Sequence, residues 1–372
     1  MTRPPATSAE PTRKSRLAHR IEAGWSTGLP PPRALAGLAG VFGAIVATRR
    51  WLYRAGWFQQ ARMPVPVVVV GNRVVGGAGK TPTTLALIDA LRQRGWTPAV
   101  VSRGHGGRGH NARPVLPDSR AADVGDEPVL LARRSGVPVW VGRDRGAAGR
   151  ALLADHPDVD LLLCDDGLQH LALARDAEVV VFDERGTGNG WLLPAGPLRE
   201  PIDSPSATGE PALVVYNAGR ATTALPGHLA QRHLAGAIDL ADWWRGVDAD
   251  PRGWNDLRDA ARPRLCVGIG QPQRLVAMLA DVGVKVQLQQ LADHFDFADL
   301  PWPSDARDVI VTEKDAVKLD PERVTRERPA TRVWVVPLRF RLPDALIDAL
   351  TARLAARGLA PRFTRLRPSA LG

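Results

Sequence analysis

Four consecutive valines, Val67 to Val70, follow Pro64 and Pro66 and predict a strand buried on both faces, because neither side-chain direction along it is polar. Leu85, Ala86, Leu87, Ile88 and Leu91 then recur with helical spacing, so the strand feeds a helix through a glycine-rich turn. Further apolar runs predict strands at 98–102, 137–141, 159–164, 178–182, 212–216, 264–268, 284–288, 308–311 and 332–336, with helices between them. This alternation predicts an α/β fold, a mostly parallel sheet with helices on both faces, followed by a second, smaller α/β lobe. Ligands in such folds gather at the carboxyl ends of the strands.

One apolar segment breaks the alternation. From Ala34 through Thr48 there is no charge; Leu35, Leu38, Phe42 and Ile45 share a helical face, and Gly37, Gly40, Gly43 and Ala44 leave much of the rest small. Those residues make roughly 22 Å of helix, short of the roughly 30 Å hydrocarbon core, so the segment is not expected to span a bilayer. Arg49, Arg50 and Arg54 follow, interleaved with Trp51, Tyr53 and Trp57, a mixture suited to a lipid headgroup layer. The alternative is a plain helix packed on the next domain.

The expected organisation is a basic tail over 1–32, with 1–15 disordered, an N-terminal membrane-associated helix over 33–62, and a nucleotide-binding domain over 63–205. A second lobe over 206–350 and a basic tail over 351–372 complete it. The boundary is placed at the Ser/Pro/Gly/Thr-rich stretch Asp203–Pro211. Residues 1–15 lack the apolar core and cleavage site of a secretory signal.

The net charge of +10 refines this picture. Residues 1–62 hold ten Lys/Arg against Glu10 and Glu22, and residues 351–372 hold five Arg and no acid, so the middle of the chain is slightly acidic. Basic ends on an acidic body point to an anionic surface, membrane or nucleic acid, unless they reflect an Arg- and Ala-rich coding bias. The aromatic residues cluster with the apolar helix rather than along a basic groove, so no nucleic acid is expected, nor is an obligate protein partner. Cys164 and Cys266 both lie in apolar runs and fit a reducing cytoplasm, without a metal or disulfide framework.

The turn after the valine strand carries the strongest chemistry. In Val74-Val75-Gly76-Gly77-Ala78-Gly79-Lys80-Thr81 small residues let backbone N–H groups converge on phosphates, and the following helix N-terminus adds positive potential. Lys80 would reach the terminal phosphates and Thr81 would ligate Mg²⁺. Val74 stands where the common phosphate-loop pattern has glycine; a surface turn with a solvated lysine is the alternative. Leu161 to Asp166 is an apolar strand ending in two carboxylates, an arrangement that holds Mg²⁺ in such folds and is too costly for packing alone.

Other motifs leave two readings open. Ser102-Arg103-Gly104-His105 begins a basic loop that either closes over phosphates or is merely mobile. Gly125-Asp126-Glu127-Pro128 opens a helix, where capping and catalysis account equally well for Asp126. Arg143 and Arg145 suit an anionic group or surface pairing. Asn217-Ala218-Gly219-Arg220 is not a guanine-reading motif. Thr312-Glu313-Lys314-Asp315 is read as a capping box in preference to a site, and Asp293-His294-Phe295-Asp296 as a polar loop cluster.

Taken in order, the phosphate loop, Ser102-Arg103-Gly104, Asp126-Glu127-Pro128, Asp165-Asp166-Gly167-Leu168-Gln169-His170, Leu193-Pro194-Ala195-Gly196-Pro197-Leu198-Arg199-Glu200-Pro201 and Thr312-Glu313-Lys314-Asp315 resemble the tetraacyldisaccharide 4′-kinase family of lipid A biosynthesis. The resemblance spans about 35 to 340, and Val74 is then the family's own variant. It implies MgATP as donor and the 4′-hydroxyl of a tetraacylated glucosamine disaccharide 1-phosphate as acceptor. It also implies a peripheral or monotopic place on the cytoplasmic face of the inner membrane. It points to Asp126 as base, tuned by His294 on closure of the lobes, with Lys80 on the phosphates. Metal candidates are Thr81, Asp165, Asp166 and Glu200. Candidates for substrate or phosphate contacts are Arg103, Arg143, Arg145, Gln169, His170 and Arg199. His105 and Leu168 replace the family's usual tyrosine and phenylalanine. The other classes considered are a P-loop ATP-dependent ligase, which needs no membrane helix, and a membrane-associated ATPase switch.

Overall fold

A computed structural model describes residues 24–25, 29–109 and 111–362, so the expectations of a disordered 1–15 and of the end of the basic tail lie outside the described residues. In chain order the first domain comprises α1 (Arg33–Arg54), β1 (Val67–Gly71), α2 (Lys80–Gln93), β2 (Pro98–Ser102), β3 (Arg113–Val115), α3 (Ala121–Val124), α4 (Asp126–Ser135), β4 (Val139–Val141), α5 (Arg145–Asp155), β5 (Leu161–Asp165), β6 (Ala177–Asp183), β7 (Leu213–Asn217) and β8 (His228–Leu229). The chain then crosses through β9 (Gln231–Leu234) to β10 (Ile238–Asp239), α6 (Leu240–Trp244), α7 (Gly253–Asp259), β11 (Arg264–Val267), α8 (Pro272–Asp281), β12 (Gln287–Gln290), β13 (Asp308–Val311), α9 (Glu313–Ala316), α10 (Pro321–Glu327) and β14 (Arg332–Val335). It returns through β15 (Leu338–Arg341) to α11 (Asp344–Ala356).

The first sheet has the order β3-β4-β2-β5-β1-β6-β7-β8, parallel throughout except for β3, which runs antiparallel to β4. The valine strand lies inside it, between β5 and β6. Val68 and Val70 enter the core beneath α2 and α4, while Val67 and Val69 enter the opposite core, where Ala148 and Leu152 of α5 lie. A strand in this place needs apolar residues in both directions, and each fully buried valine contributes about 1.5–3 kcal/mol. The second sheet, β10-β14-β13-β11-β12, is again parallel apart from one edge, β10 against β14. The two sheets share a continuous core, and β9 pairs antiparallel with β15 where the chain passes between them.

The expected boundary at Asp203–Pro211 is corrected by the register of β7. Leu213 to Asn217 pair in parallel with Val179 to Asp183, so this strand is a neighbour of β6 in the first sheet and not the opening of the second lobe. The polar stretch before it is a loop between two adjacent strands; composition reports exposure, and a loop within a sheet and a linker between sheets are equally exposed. The second correction is at the other end. Helix α11 packs on α2 and β6 of the first domain, with Leu346, Ile347, Leu350 and Leu354 buried and Asp348 paired with Arg94 at 2.5 Å.

Helix α1 lies outside this core. Of its 22 residues only Ala39 is buried, and Leu38, Val41, Ile45 and Trp51 are each more than half exposed. By length and composition the whole helix could cross a membrane. Its C-terminal turns are tied to the domain, however: Arg49 donates to the Gln169 carbonyl, and Arg50 pairs with buried Glu200 at 2.5 Å.

Candidate active site

A cavity of about 1260 Å³ opens between the lobes at the carboxyl ends of the first sheet, with Phe42, Ile45 and Val46 of α1 on its rim. The phosphate loop forms its floor. Asn72 donates to the carbonyls of Val74 and Gly76 and shapes the turn. Gly79 caps α2 at φ +91°, and a β-carbon there would come within 2.3 Å of the Asn217 amide nitrogen. Glycine is therefore required on backbone and steric grounds together. Val75, Gly76, Gly77, Gly79, Lys80 and Thr81 line the cavity, whereas Val74 and Ala78 are buried behind the loop.

At the end of β5 the two carboxylates part company. Asp165 is fully buried; Oδ1 accepts from the Thr84 hydroxyl at 2.7 Å, and Oδ2 has no partner. Burial, together with Glu127, pushes its carboxyl up to about 7. Asp166 takes a left-handed φ of 48°, which turns its carboxylate out of the strand toward Lys80 at 3.6 Å and Arg199 at 3.5 Å. Gln169 and His170 follow in the same loop. Arg145 lies 3.4 Å from the His170 ring and reaches the Asp166 carbonyl, and burial with Arg145 and Arg175 lowers the His170 pKa to about 4. His170 is thus neutral, and its Nε2 is buried without a partner. Arg103, Arg143, Arg145 and Arg199 all line the cavity, which brings together the expected phosphate and substrate contacts.

Glu200 does not fit its expected role. It is 2% exposed, and its oxygens are engaged by Arg50, by Arg73 at 3.9 Å and by Gln169 at 3.2 Å. A carboxylate compensated by two guanidinium groups is a poor ligand for a further cation. Its place in the structure is that of an anchor for α1 and for the loop carrying Gln169.

Opposite the phosphate loop, α4 presents Asp126 at its first turn. The cap is Gly125, at φ +94°, where a β-carbon would collide with the His105 carbonyl. Asp126 itself is not the cap: it lies inside the helix, 5% exposed, and its Oδ2 meets His294 Nδ1 of the second lobe at 3.0 Å. His294 adopts φ +58°, a strained conformation of the kind that clusters at functional sites. Lys314 and Lys318 stand 4.0 Å from the same oxygen. Burial pushes the Asp126 carboxyl up, but the His294 hydrogen bond and the lysine charges outweigh it and hold the group below the usual carboxylate range. That hydrogen bond also raises the pKa of His294 against the opposing effect of burial. His105 lies edge-on to the His294 ring with centroids 5.5 Å apart, beside the dyad, while Leu168 is buried in the sheet core.

Sequence reasoning missed several residues here. Thr312 does cap α9, accepting from the Asp315 amide, but Asp315 Oδ2 accepts from the Thr312 hydroxyl at 2.8 Å and from Gly268 N instead of completing a box. Lys314 from the same motif faces the site. Asn217, set aside because it begins no guanine-reading motif, donates to the Ala78 carbonyl at 3.1 Å and supports the phosphate loop from behind. Strand-end position was the one available signal for both.

Comparisons with known proteins identify the family and the fold. The profile of the LpxK family, described as tetraacyldisaccharide-1-P 4′-kinase, matches residues 32–355. A protein of Leptothrix cholodnii named tetraacyldisaccharide 4′-kinase is 58% identical over 92% of this chain and 97% of its own length. One of Methylibium petroleiphilum with the same name is 54% identical over 91% of this chain and 93% of its own. In fold, the chain is similar to the crystal structure of LpxK from Aquifex aeolicus in complex with ATP, with a TM-score of 0.69 and 24% identity over 86% of this chain and 97% of that one. With the profile spanning nearly all of both lobes and relatives matched along almost their whole length, the chain belongs to the tetraacyldisaccharide-1-P 4′-kinase family.

Proposed function

We infer that the chain is an ATP-dependent kinase of lipid A biosynthesis, which transfers the γ-phosphate of ATP to the 4′-hydroxyl of a tetraacylated glucosamine disaccharide 1-phosphate. Family membership supports the reaction. One observation carries its assignment to this cavity: Lys80 of the phosphate loop and His294 of the interlobe pair line the same space, with Asp126 hydrogen-bonded to His294 and apolar α1 on the rim.

The hydroxyl oxygen attacks the γ-phosphorus, the bond to the β,γ-bridging oxygen breaks, and ADP leaves. The protein's task is to hold the groups in line and to neutralise charge on the moving phosphoryl group. Lys80 and the amides of Gly76 to Gly79 hold the phosphates. The Asp126–His294 pair takes the hydroxyl proton: His294 faces the cavity, and Asp126 holds its ring through the Nδ1 hydrogen bond and raises its basicity. Arg103, Arg143, Arg145 and Arg199 meet the anionic groups of the donor and of the acceptor.

Thr81, Asp165 and Asp166 would hold the Mg²⁺ of the nucleotide. The unpartnered, buried Asp165 Oδ2 fits a cation. Mg²⁺ takes one or two carboxylates with phosphate and water, a demand this strand end can meet. When bound, the ion neutralises charge on the β- and γ-phosphates. The acceptor carries four acyl chains, whose extraction from a bilayer would cost about 0.8 kcal/mol per CH₂. We place the enzyme at the cytoplasmic face of the inner membrane, with the N-terminal part of α1 in the interface.

The direct test is transfer of labelled γ-phosphate from ATP to the lipid disaccharide in detergent micelles. Lys80→Ala, correctly folded, should lose roughly 10²-fold or more in turnover, comparable to the loss of one electrostatic stabiliser. Near-normal turnover would remove the loop from the reaction.

A further inference from the structure

From Val74 to Ala78, every carbonyl of the phosphate loop accepts from a side chain behind it. Asn72 donates to the carbonyls of Val74 and Gly76, Arg185 to those of Val75 at 3.2 Å and Gly77 at 3.3 Å, and Asn217 to that of Ala78. In a trans peptide the C=O and the N–H of one plane point in opposite directions, so a carbonyl held behind the loop turns the next residue's amide toward its front. Arg185 therefore aims two of the four amides from Gly76 to Gly79, those of Gly76 and Ala78. From this geometry we infer that Arg185 is a positioning residue for the phosphoryl transfer, which holds the phosphate loop in the shape that receives the triphosphate. The inference rests on the reading of this loop as the ATP site.

Arg185 acts from outside the cavity. Val75, Gly76 and Gly77 line that space, and Arg185 is not among the lining residues. Its guanidinium lies against the back of the loop, where a β-carbon on Gly76 would come within 3.0 Å of Nη1. Asp183, the buried last residue of β6, keeps it there. Nε lies 2.9 Å and Nη2 2.8 Å from Asp183 Oδ2, and the Arg185 amide donates to Oδ1 at 3.0 Å. Gln271, which precedes α8 in the second lobe, donates to the same Oδ2 at 3.3 Å and holds the carboxylate from across the lobe junction. One edge of the planar guanidinium thus faces the carboxylate and the other faces two carbonyls, a division that the fork of arginine allows and the point charge of lysine does not.

The side chain of Arg185 is 37% exposed, and an ion pair so open to solvent contributes little to the stability of the fold. Its worth lies in the nucleotide step. Amide donors aimed in advance need no reorganisation when charge develops on the moving phosphoryl group. The loop meets the donor and not the lipid, so losing its support should fall on ATP and on kcat and spare the KM of the acceptor.

The test is Arg185→Ala in the micellar transfer assay, with thermal unfolding of the free protein beside it. kcat/KM for ATP should fall by about 10- to 10²-fold, the cost of groups held slightly out of place, with the KM of the lipid and the Tm nearly unchanged. Guanidinium chloride at millimolar concentration should restore part of the loss where sodium chloride at the same ionic strength does not, and Arg185→Lys should restore little. Asp183→Asn should reproduce the defect, and the double variant should be little worse than either, since residues acting as a unit are not additive. Arg185→Gln takes the place of Ala if that variant does not fold. Unchanged kcat/KM for ATP in Arg185→Ala, while Lys80→Ala is inactive, would overturn the inference alone. A fully active Lys80→Ala would overturn the reading of the loop, and the inference with it. A defect that Asp183→Asn does not share and that lysine restores in full would place Arg185 on a nucleotide phosphate and overturn its role through the loop.

Discussion

At the scale of residues, the site is built from carboxylates whose surroundings push them apart. Asp126 is kept ionised by cations, whereas Asp165 is raised to about 7 by burial and by Glu127. An unpartnered buried oxygen destabilises the protein without its ligands and is the reason nucleotide and metal should stabilise it. Asp165→Asn keeps an oxygen for Thr84 and removes the buried charge. Thermal unfolding of the free variant should then match or exceed that of the parent, while the rise in Tm on adding Mg²⁺ and ATP should shrink and turnover should fall. An undiminished ligand-induced rise would show that Asp165 does not face the metal. Asp126→Asn should lower kcat by roughly 10²–10⁴-fold, the usual worth of a general base, with ATP affinity nearly unchanged. His294→Ala should cost at least as much, and the double variant little more than either single one. Purely additive losses, read from steady-state kinetics, would separate the two residues. The dyad also gives stability a pH window. The His294 pKa is raised in the folded state, so its contribution is fully present below the ordinary histidine value and is lost as pH rises through the folded one. The Asp126 contribution runs the other way, present above the ordinary aspartate value and lost as pH falls through its depressed folded one.

At the scale of elements, long apolar runs were legible and short edges were not. The valine strand and the nine further expected strands all occur, most of them displaced by a residue or two. The run expected at 284–288 forms a strand only at Gln287–Gln290, because Val284 is spent on the core before the edge strand begins. Strands β8 and β10 have two residues each, and three of the four residues of Gln231–Leu234 are polar, so no periodicity announces them. The loops of the site were legible as motifs, since each follows a strand. Their partners were not: nothing local says that Glu200 meets Arg50, or that Lys314 meets Asp126, because those contacts join residues far apart in the chain. Helix α1 is the element whose role is most open to experiment. Docked by Arg49 and Arg50 and otherwise exposed, it should hold the protein on anionic vesicles, so deletion of 1–58 should abolish flotation and raise the KM for micellar substrate. Unchanged flotation would make the helix structural only.

At the scale of the whole molecule, the first domain is discontinuous in sequence. Its sheet ends at β8, the chain leaves and returns through the paired strands β9 and β15, and α11 then closes the core over β6 and α2. This topology has a consequence for synthesis. The phosphate loop and the whole of the first sheet are synthesised before residues 230–343, and at roughly 5–20 residues per second the delay is about 6–23 seconds. Until Leu346, Ile347, Leu350 and Leu354 arrive, the surface they cover stays open to water. A nascent chain ending near residue 229 is therefore an unfinished domain whose apolar face stays open until residues 344–356 are made.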